Sequence, residues 1–345
     1  MQYSFYAGCA TKEASDKGIH LLRFDAEKGD WQVADSLSGG ENPNFLTKAG
    51  NFLYSVNANK ACGKVSAFSV GANGSLTYLN SKEAFGFGSC HVAVMNGYLY
   101  AANYASGGIF GVKILADGMA AGSVGDVVCE VQHQGSGPNE KRQAGPHAHS
   151  VNPIPGTDLL IAADLGTDSL YCYRQQKDGK LVLDSSAAAP PGAGPRHMAF
   201  HQGNNHVYAV TELGITVVSY KFSGKNLSRE AVYPLMKEMI NEKDSAADIH
   251  ITADGKRLYA STRGRNILSA FDIGADGALK FIGTYPTHGD GPRNFCITPD
   301  DKFAVIANMV SGNVVVCPID PKTGALGNLI CSVNVHGPAC VINAL

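Results

Sequence analysis

Ala275-Asp276-Gly277-Ala278-Leu279 sets a tight turn ending in glycine with an apolar residue within the next three positions, and the chain returns to that pattern six more times. The other copies are Glu27-Lys28-Gly29-Asp30-Trp31, Ala72-Asn73-Gly74-Ser75-Leu76, Ala116-Asp117-Gly118-Met119, Lys177-Asp178-Gly179-Lys180-Leu181, Ser223-Gly224-Lys225-Asn226-Leu227 and Lys322-Thr323-Gly324-Ala325-Leu326. In chain order the seven glycines lie 45, 44, 61, 45, 53 and 47 residues apart. A period of that size among short strands signals a radial array of four-stranded blades. Seven copies mean seven blades. The expected fold is all-β, a seven-bladed β-propeller of antiparallel blades, with residues 1–345 forming a single domain.

Working outward from one turn gives the blade. Before Ala72-Asn73-Gly74 come runs that read as three strands, Asn44-Phe45-Leu46-Thr47, Phe52–Val56 and Val65–Val70, and Leu76-Thr77-Tyr78-Leu79 follows as the fourth. Each is short, rich in β-branched and aromatic residues, and bounded by Gly or Asn. Leu99-Tyr100, Val207-Tyr208 and Leu258-Tyr259 mark second strands in later blades. Helical periodicity is scarce, and residues 229–243 alone suggest one or two turns of helix. The chain starts on second, third and fourth strands (3–8, 19–24 and 32–36) and finishes on Pro338–Asn343, which reads as a first strand. The last strand is therefore expected to complete the N-terminal blade, closing a ring that would otherwise expose a sheet edge.

Composition narrows the partners. A formal charge of −2 over 345 residues gives no basic footprint for nucleic acid. No apolar run approaches the roughly 18 residues that a membrane span requires. Nine cysteines without a C-x-x-C pair argue against a disulfide framework or a zinc site and point to free thiols in a reducing compartment. With no basic-then-apolar leader at the N-terminus, the expectation is a cytoplasmic monomer that takes a small molecule.

Blade geometry then locates a site. In an up-and-down blade the start of the first strand and the end of the second lie at the same end of the propeller. Before first strands come Pro146-His147-Ala148-His149, Gly194-Pro195-Arg196-His197, Ala247-Asp248-Ile249-His250 and Gly291-Pro292-Arg293-Asn294. After second strands come Asn57, Asn103, Asp164, Glu212, Arg263 and Asn308. Arginines, histidines and carboxylates thus converge on one opening, while the other rim carries plain hairpin loops such as Asn204-Asn205. The longest spacing, between blades 2 and 3, adds Gln132–Gly145 on the charged side, leading into His147. Long loops are often functional.

These residue types suit hydrolysis of an anionic ester. A histidine or carboxylate can take a proton from water, and arginines can hold a phosphate or carboxylate and an oxyanion. Competing structural roles are plain for several of them. Glu212 could be an ion pair holding the rim, Asp248 and His250 could bond loop amides, and strand alternation turns His149 into the blade. The repeated Asn57, Asn103, Asp164 and Asn308 read as turn caps rather than ligands. Asp272–Gly277 imitates a calcium loop only loosely and is one of the hairpin turns. No metal site, nucleotide loop or nucleophile elbow is supported, and no cofactor is expected.

The segments Pro146–Val151, Gly192–His201, Thr211-Glu212-Leu213, Ala247–Gly255 and Ala260-Ser261-Thr262-Arg263-Gly264 together resemble the lactonase family of seven-bladed propellers. That family includes the propeller-type 6-phosphogluconolactonases and, distantly, fungal carboxymuconate cyclases. The resemblance covers essentially the whole chain. It implies hydrolysis of 6-phospho-D-glucono-1,5-lactone to 6-phosphogluconate in the pentose phosphate pathway. It also implies a catalytic set of His147, Arg196, Glu212 and Arg263, to which blade geometry adds His149, His197, Asp248, His250 and Arg293 as candidate substrate-binding residues. Thr262 and Thr211 stand where the family usually has Asn, which alters positioning around Arg263 and Glu212 but keeps both charges. Two alternatives accompany this reading: a muconate-type cycloisomerase using the same cations, and a non-catalytic propeller serving as an interaction platform.

Overall fold

The computed structural model describes residues 1–224 and 226–344, so Lys225 in the fifth glycine turn and Leu345 lie outside the described residues. Seven four-stranded antiparallel sheets form the ring. We number blades 1 to 6 from Leu46 onward and call blade 7 the one that joins the two termini. Blade 4 is representative, with strands Pro195–His201, His206–Thr211, Thr216–Phe222 and Leu227–Pro234 from the axis outward. In blade 7 the innermost strand is Pro338–Asn343, paired with Gln2–Cys9 in the register Phe5↔Asn343 through Gly8↔Cys340. Closure by the C-terminal strand is therefore as the sequence predicts.

All seven repeat glycines sit between third and fourth strands at positive φ, from +63° at Gly29 to +83° at Gly277, a region open to glycine at little steric cost. The second-strand tyrosines explain why these turns recur so faithfully. Tyr6, Tyr100, Tyr208 and Tyr259 each donate their hydroxyl to the glycine carbonyl of the next blade's turn, at Gly74, Gly179, Gly277 and Gly324, over 2.6–2.8 Å. Each buried phenol thus stitches one blade to its neighbour. Apolar clusters fill the space between adjacent blades, as where Ile161 and Cys172 of blade 3 meet Met198 and Val207 of blade 4.

One local expectation fails. Residues 229–243 hold the fourth strand of blade 4 (Leu227–Pro234) and a bent connector, with no helix. Its β-branched and aromatic residues pair with the third strand, and that pairing overrides the weak helical pattern. The only helix among the described residues is a single 3-10 turn, Gly118–Ala120.

Candidate active site

The innermost strand is not regular at its start. In blades 2, 3, 4 and 6 the pairing with the second strand slips by one residue, leaving Cys90, His149, Arg196 and Arg293 without a partner. Blade 5 slips between Ala246 and Ile249, and blade 7 skips Ala339. A bulge at this point re-aims the side chain that carries it. The bulged residues form an upper layer around the axis. The next residues, among them His91, His197, Asp248 and Asn294, form a layer below.

This corrects the reading of His149. Strand alternation would turn it into the blade, but the bulge between Ala148 and Ser150 brings its ring to the opening. There it is buried, with Nε2 3.9 Å from Glu212 Oε2 and Nδ1 3.9 Å from Cys90 Sγ.

Second strands contribute a matching ring. Asn57, Asn103, Asp164 and Asn308 are buried and tie loops together. The three asparagines donate to the carbonyls of Gly39, Phe85 and Thr287, and Asp164 Oδ1 accepts from the His147 and Thr167 amides. The register pairs Pro195 with Thr211 as it pairs Ser89 with Asn103, so Glu212 and Arg263 fall one residue beyond the caps. Tyr104 occupies that same place in blade 2. Sequence reasoning missed it by aligning Glu212 with the caps rather than one step past them.

The two rings enclose a cavity of about 320 Å³ lined by Cys90, Tyr104, Arg142, His149, Glu212, Arg263 and Arg293, among others. Glu212 is its hub. Oε1 accepts from Arg142 Nη2 at 2.6 Å; Oε2 lies 3.0 Å from Arg196 Nε and 3.1 Å from Arg263 Nη2. Burial pushes this carboxyl up, but Arg263, Arg196 and Arg142 outweigh it and hold it down at about 2. Arg196 is 1% exposed and also donates to Ala247 O and His197 Nε2. Burial, reinforced by Arg293 and Arg263, pulls its guanidinium down to about 9, which still leaves it charged at neutral pH. Arg293 makes no hydrogen bond or ion pair with any described residue. Burial and Arg263 both lower its affinity for a proton. Burial also pushes the Cys90 thiol up to about 12, Arg196 and Arg293 only partly opposing, so it stays protonated.

His147 stands at the rim, outside the lining. Its Nδ1 is 2.8 Å from Tyr104 O and its ring stacks on the Tyr104 ring at 4.6 Å. A carbonyl can only accept, so Nδ1 carries a proton, which leaves Nε2 as the atom of the neutral ring that bears the lone pair.

His197, Asp248 and His250 are brought together, but beneath the site rather than in it. Asp248 takes His197 Nδ1 at 2.6 Å, His250 Nε2 at 2.8 Å and Asn294 Nδ2 at 2.6 Å. These residues line a second cavity of about 410 Å³ deeper in the channel. Because Arg196 donates to His197 Nε2, the imidazole is neutral. Burial, then Arg196, lowers it to about 4 despite Asp248. The layer works as a brace that fixes Arg196, and through it Glu212.

A seven-bladed ring that gathers four arginines around one carboxylate at a single opening describes a class of anion-handling propellers. Within that class, the chain belongs to the lactonase family: the profile described as "Lactonase, 7-bladed beta-propeller" matches residues 4–343. It is 34% identical to the 6-phosphogluconolactonase of Bacillus subtilis, over 99% of this chain and 98% of that one. With the 6-phosphogluconolactonase of Formosa agariphila it shares 32% identity, over 96% and 97% of the two chains. Among solved structures, the periplasmic gluconolactonase of Pseudomonas aeruginosa superimposes with a TM-score of 0.92 at 28% identity, covering 99% of each chain. Arg142 and Tyr104 are the functional candidates that sequence reasoning missed. The long spacing between blades 2 and 3 was the available signal for Arg142.

Proposed function

We propose that this chain hydrolyses a phosphorylated sugar lactone, 6-phospho-D-glucono-1,5-lactone, to 6-phosphogluconate. The observation that carries the reading is the charge balance of the cavity: the guanidiniums of Arg142, Arg263 and Arg293 line it against the single carboxylate of Glu212, and Arg293 has no partner among the described residues. Such a pocket lacks an anion, and the named relatives supply the class of anion.

In this reading His147 Nε2 takes a proton from water as the water oxygen bonds to the lactone carbonyl carbon. The ring C–O bond then breaks, and the ring oxygen takes that proton back from His147. Glu212 is unsuited as the base, because a carboxyl held at about 2 has little affinity for a proton. It serves instead to aim Arg263 and Arg142. Arg263 faces the developing oxyanion, and Arg293 takes the phosphate. Arg196 is a positioning residue behind Glu212. Residues 1–345 act as one domain and as a monomer, and the nine free thiols favour a reducing, cytoplasmic setting. Turnover of freshly made lactone, read through a coupled dehydrogenase with the spontaneous rate subtracted, tests the activity. Sedimentation and cell fractionation test the rest.

A further inference from the structure

We propose that Arg142 is a substrate-recognition residue that reads the anionic group of the lactone together with Arg293; this rests on the lactonase reading above. Arg142 belongs to no blade. It comes from the connector between blades 2 and 3, fifteen residues (133–147) where the next longest connector from one blade to another, between blades 4 and 5, has ten.

The base of this loop is fixed. Gln143 is fully buried, and its Nε2 donates to Leu165 O and Asp168 Oδ1, each at 2.8 Å. Asp168 also accepts from the Gly192 and Gly194 amides, which ties the loop to the connector that precedes Arg196. The Arg142 amide bonds back to Asn139 O at 3.0 Å. The tip is open by contrast, with the Arg142 side chain 40% exposed.

Its donors are unevenly used. Nη2 serves both Glu212 Oε1 (2.6 Å) and Tyr104 Oη (3.1 Å). Nε and Nη1 take no partner among the described residues. A guanidinium offers five N–H groups in a fixed fork, so the three left over can receive an anion while the link to Glu212 holds the fork in place. Arg293, on blade 6, lies across the ring from this loop and has no hydrogen-bond or ion-pair partner among the described residues. A phosphate between them would be gripped from two sides, one grip supplied by the propeller frame and the other by the insertion.

The competing role for Arg142 is to hold Glu212 and nothing more. The two differ in substrate discrimination. Arg142→Met and Arg142→Lys should be compared with wild type on 6-phosphogluconolactone and on unphosphorylated glucono-1,5-lactone, with thermal melts alongside. The expected result for Arg142→Met is a fall of about tenfold or more in the ratio of kcat/KM for the phosphorylated over the plain lactone. Most of that fall should appear in KM. Arg142→Lys keeps the charge but not the fork, so it should recover part of the ratio, and it carries the test if the methionine variant folds poorly. A fall of equal size on both lactones, leaving the ratio unchanged, would overturn the proposal and leave Arg142 as a brace for Glu212. Wild type that opens neither lactone would instead overturn the lactonase reading, and this inference with it.

Discussion

Glu212 and Arg293 show opposite ways of being charged in a buried place. Glu212 is ringed by Arg142, Arg196 and Arg263, and removing its charge strands the buried Arg196 guanidinium beside two other cations. Glu212→Gln is therefore expected to lower stability by about 3–5 kcal/mol, seen as a drop in Tm, and to abolish turnover. Arg293 has nothing to lose. Arg293→Met should melt no lower than wild type, yet raise KM for the phosphorylated lactone by about tenfold. A variant that melts well below wild type with KM unchanged would make Arg293 structural. Residue types and spacing were enough to place Arg196, Glu212, Arg263 and Arg293 at one opening. They were not enough to separate His147 from His149. Those two differ through a one-residue bulge that no local pattern announces, since it arises only when Ala148 and Ser150 pair with the second strand. Tyr104 was hidden for a related reason: a tyrosine after a strand reads as core until the register gives it the place in blade 2 that Glu212 and Arg263 hold in blades 4 and 5.

At the level of elements, the glycine turns made the fold legible, because only a narrow set of residues tolerates their backbone and four of the seven are also bonded by a tyrosine of the neighbouring blade. Tyr208 Oη bonds Gly277 O at 2.8 Å in a buried setting, so Tyr208→Phe should cost about 1–2 kcal/mol in denaturant unfolding. A change within experimental error would show that the stitch contributes nothing. Ring closure is a larger effect. Removing residues 338–345 uncovers the Gln2–Cys9 strand, and the truncated chain is expected to be recovered as aggregate rather than as soluble protein. What the sequence hid lies where tertiary pairing decides: the strand in place of a helix after Leu227, and the slips that start six of the inner strands.

At the scale of the whole molecule, the axial polar layers make the protein sensitive to acid. His197 is held at about 4, below its ordinary 6.5, so between those values the unfolded chain binds a proton that the folded one refuses. Burial keeps His91 and His149 well below 6.5 as well, with the same sign. Glu212, at about 2 against an ordinary 4.5, extends the loss to lower pH. Stability contributed by these groups is complete above pH ~6.5 and drains away as pH falls. Melts run from pH ~7.5 to ~4.5 should show Tm level down to pH ~6.5 and declining below it, and a constant Tm across the whole range would contradict the charge states assigned to these groups. At the arginine-lined opening, the proposed reaction is hydrolysis of a phosphorylated lactone with His147 as base. The most direct measurement is the rate of 6-phosphogluconolactone opening, with the spontaneous rate subtracted, for wild type and His147→Ala. The expected result is a clear wild-type excess that falls by about a hundredfold or more in the variant. No excess at high enzyme concentration, or a folded His147→Ala protein with full activity, would contradict it.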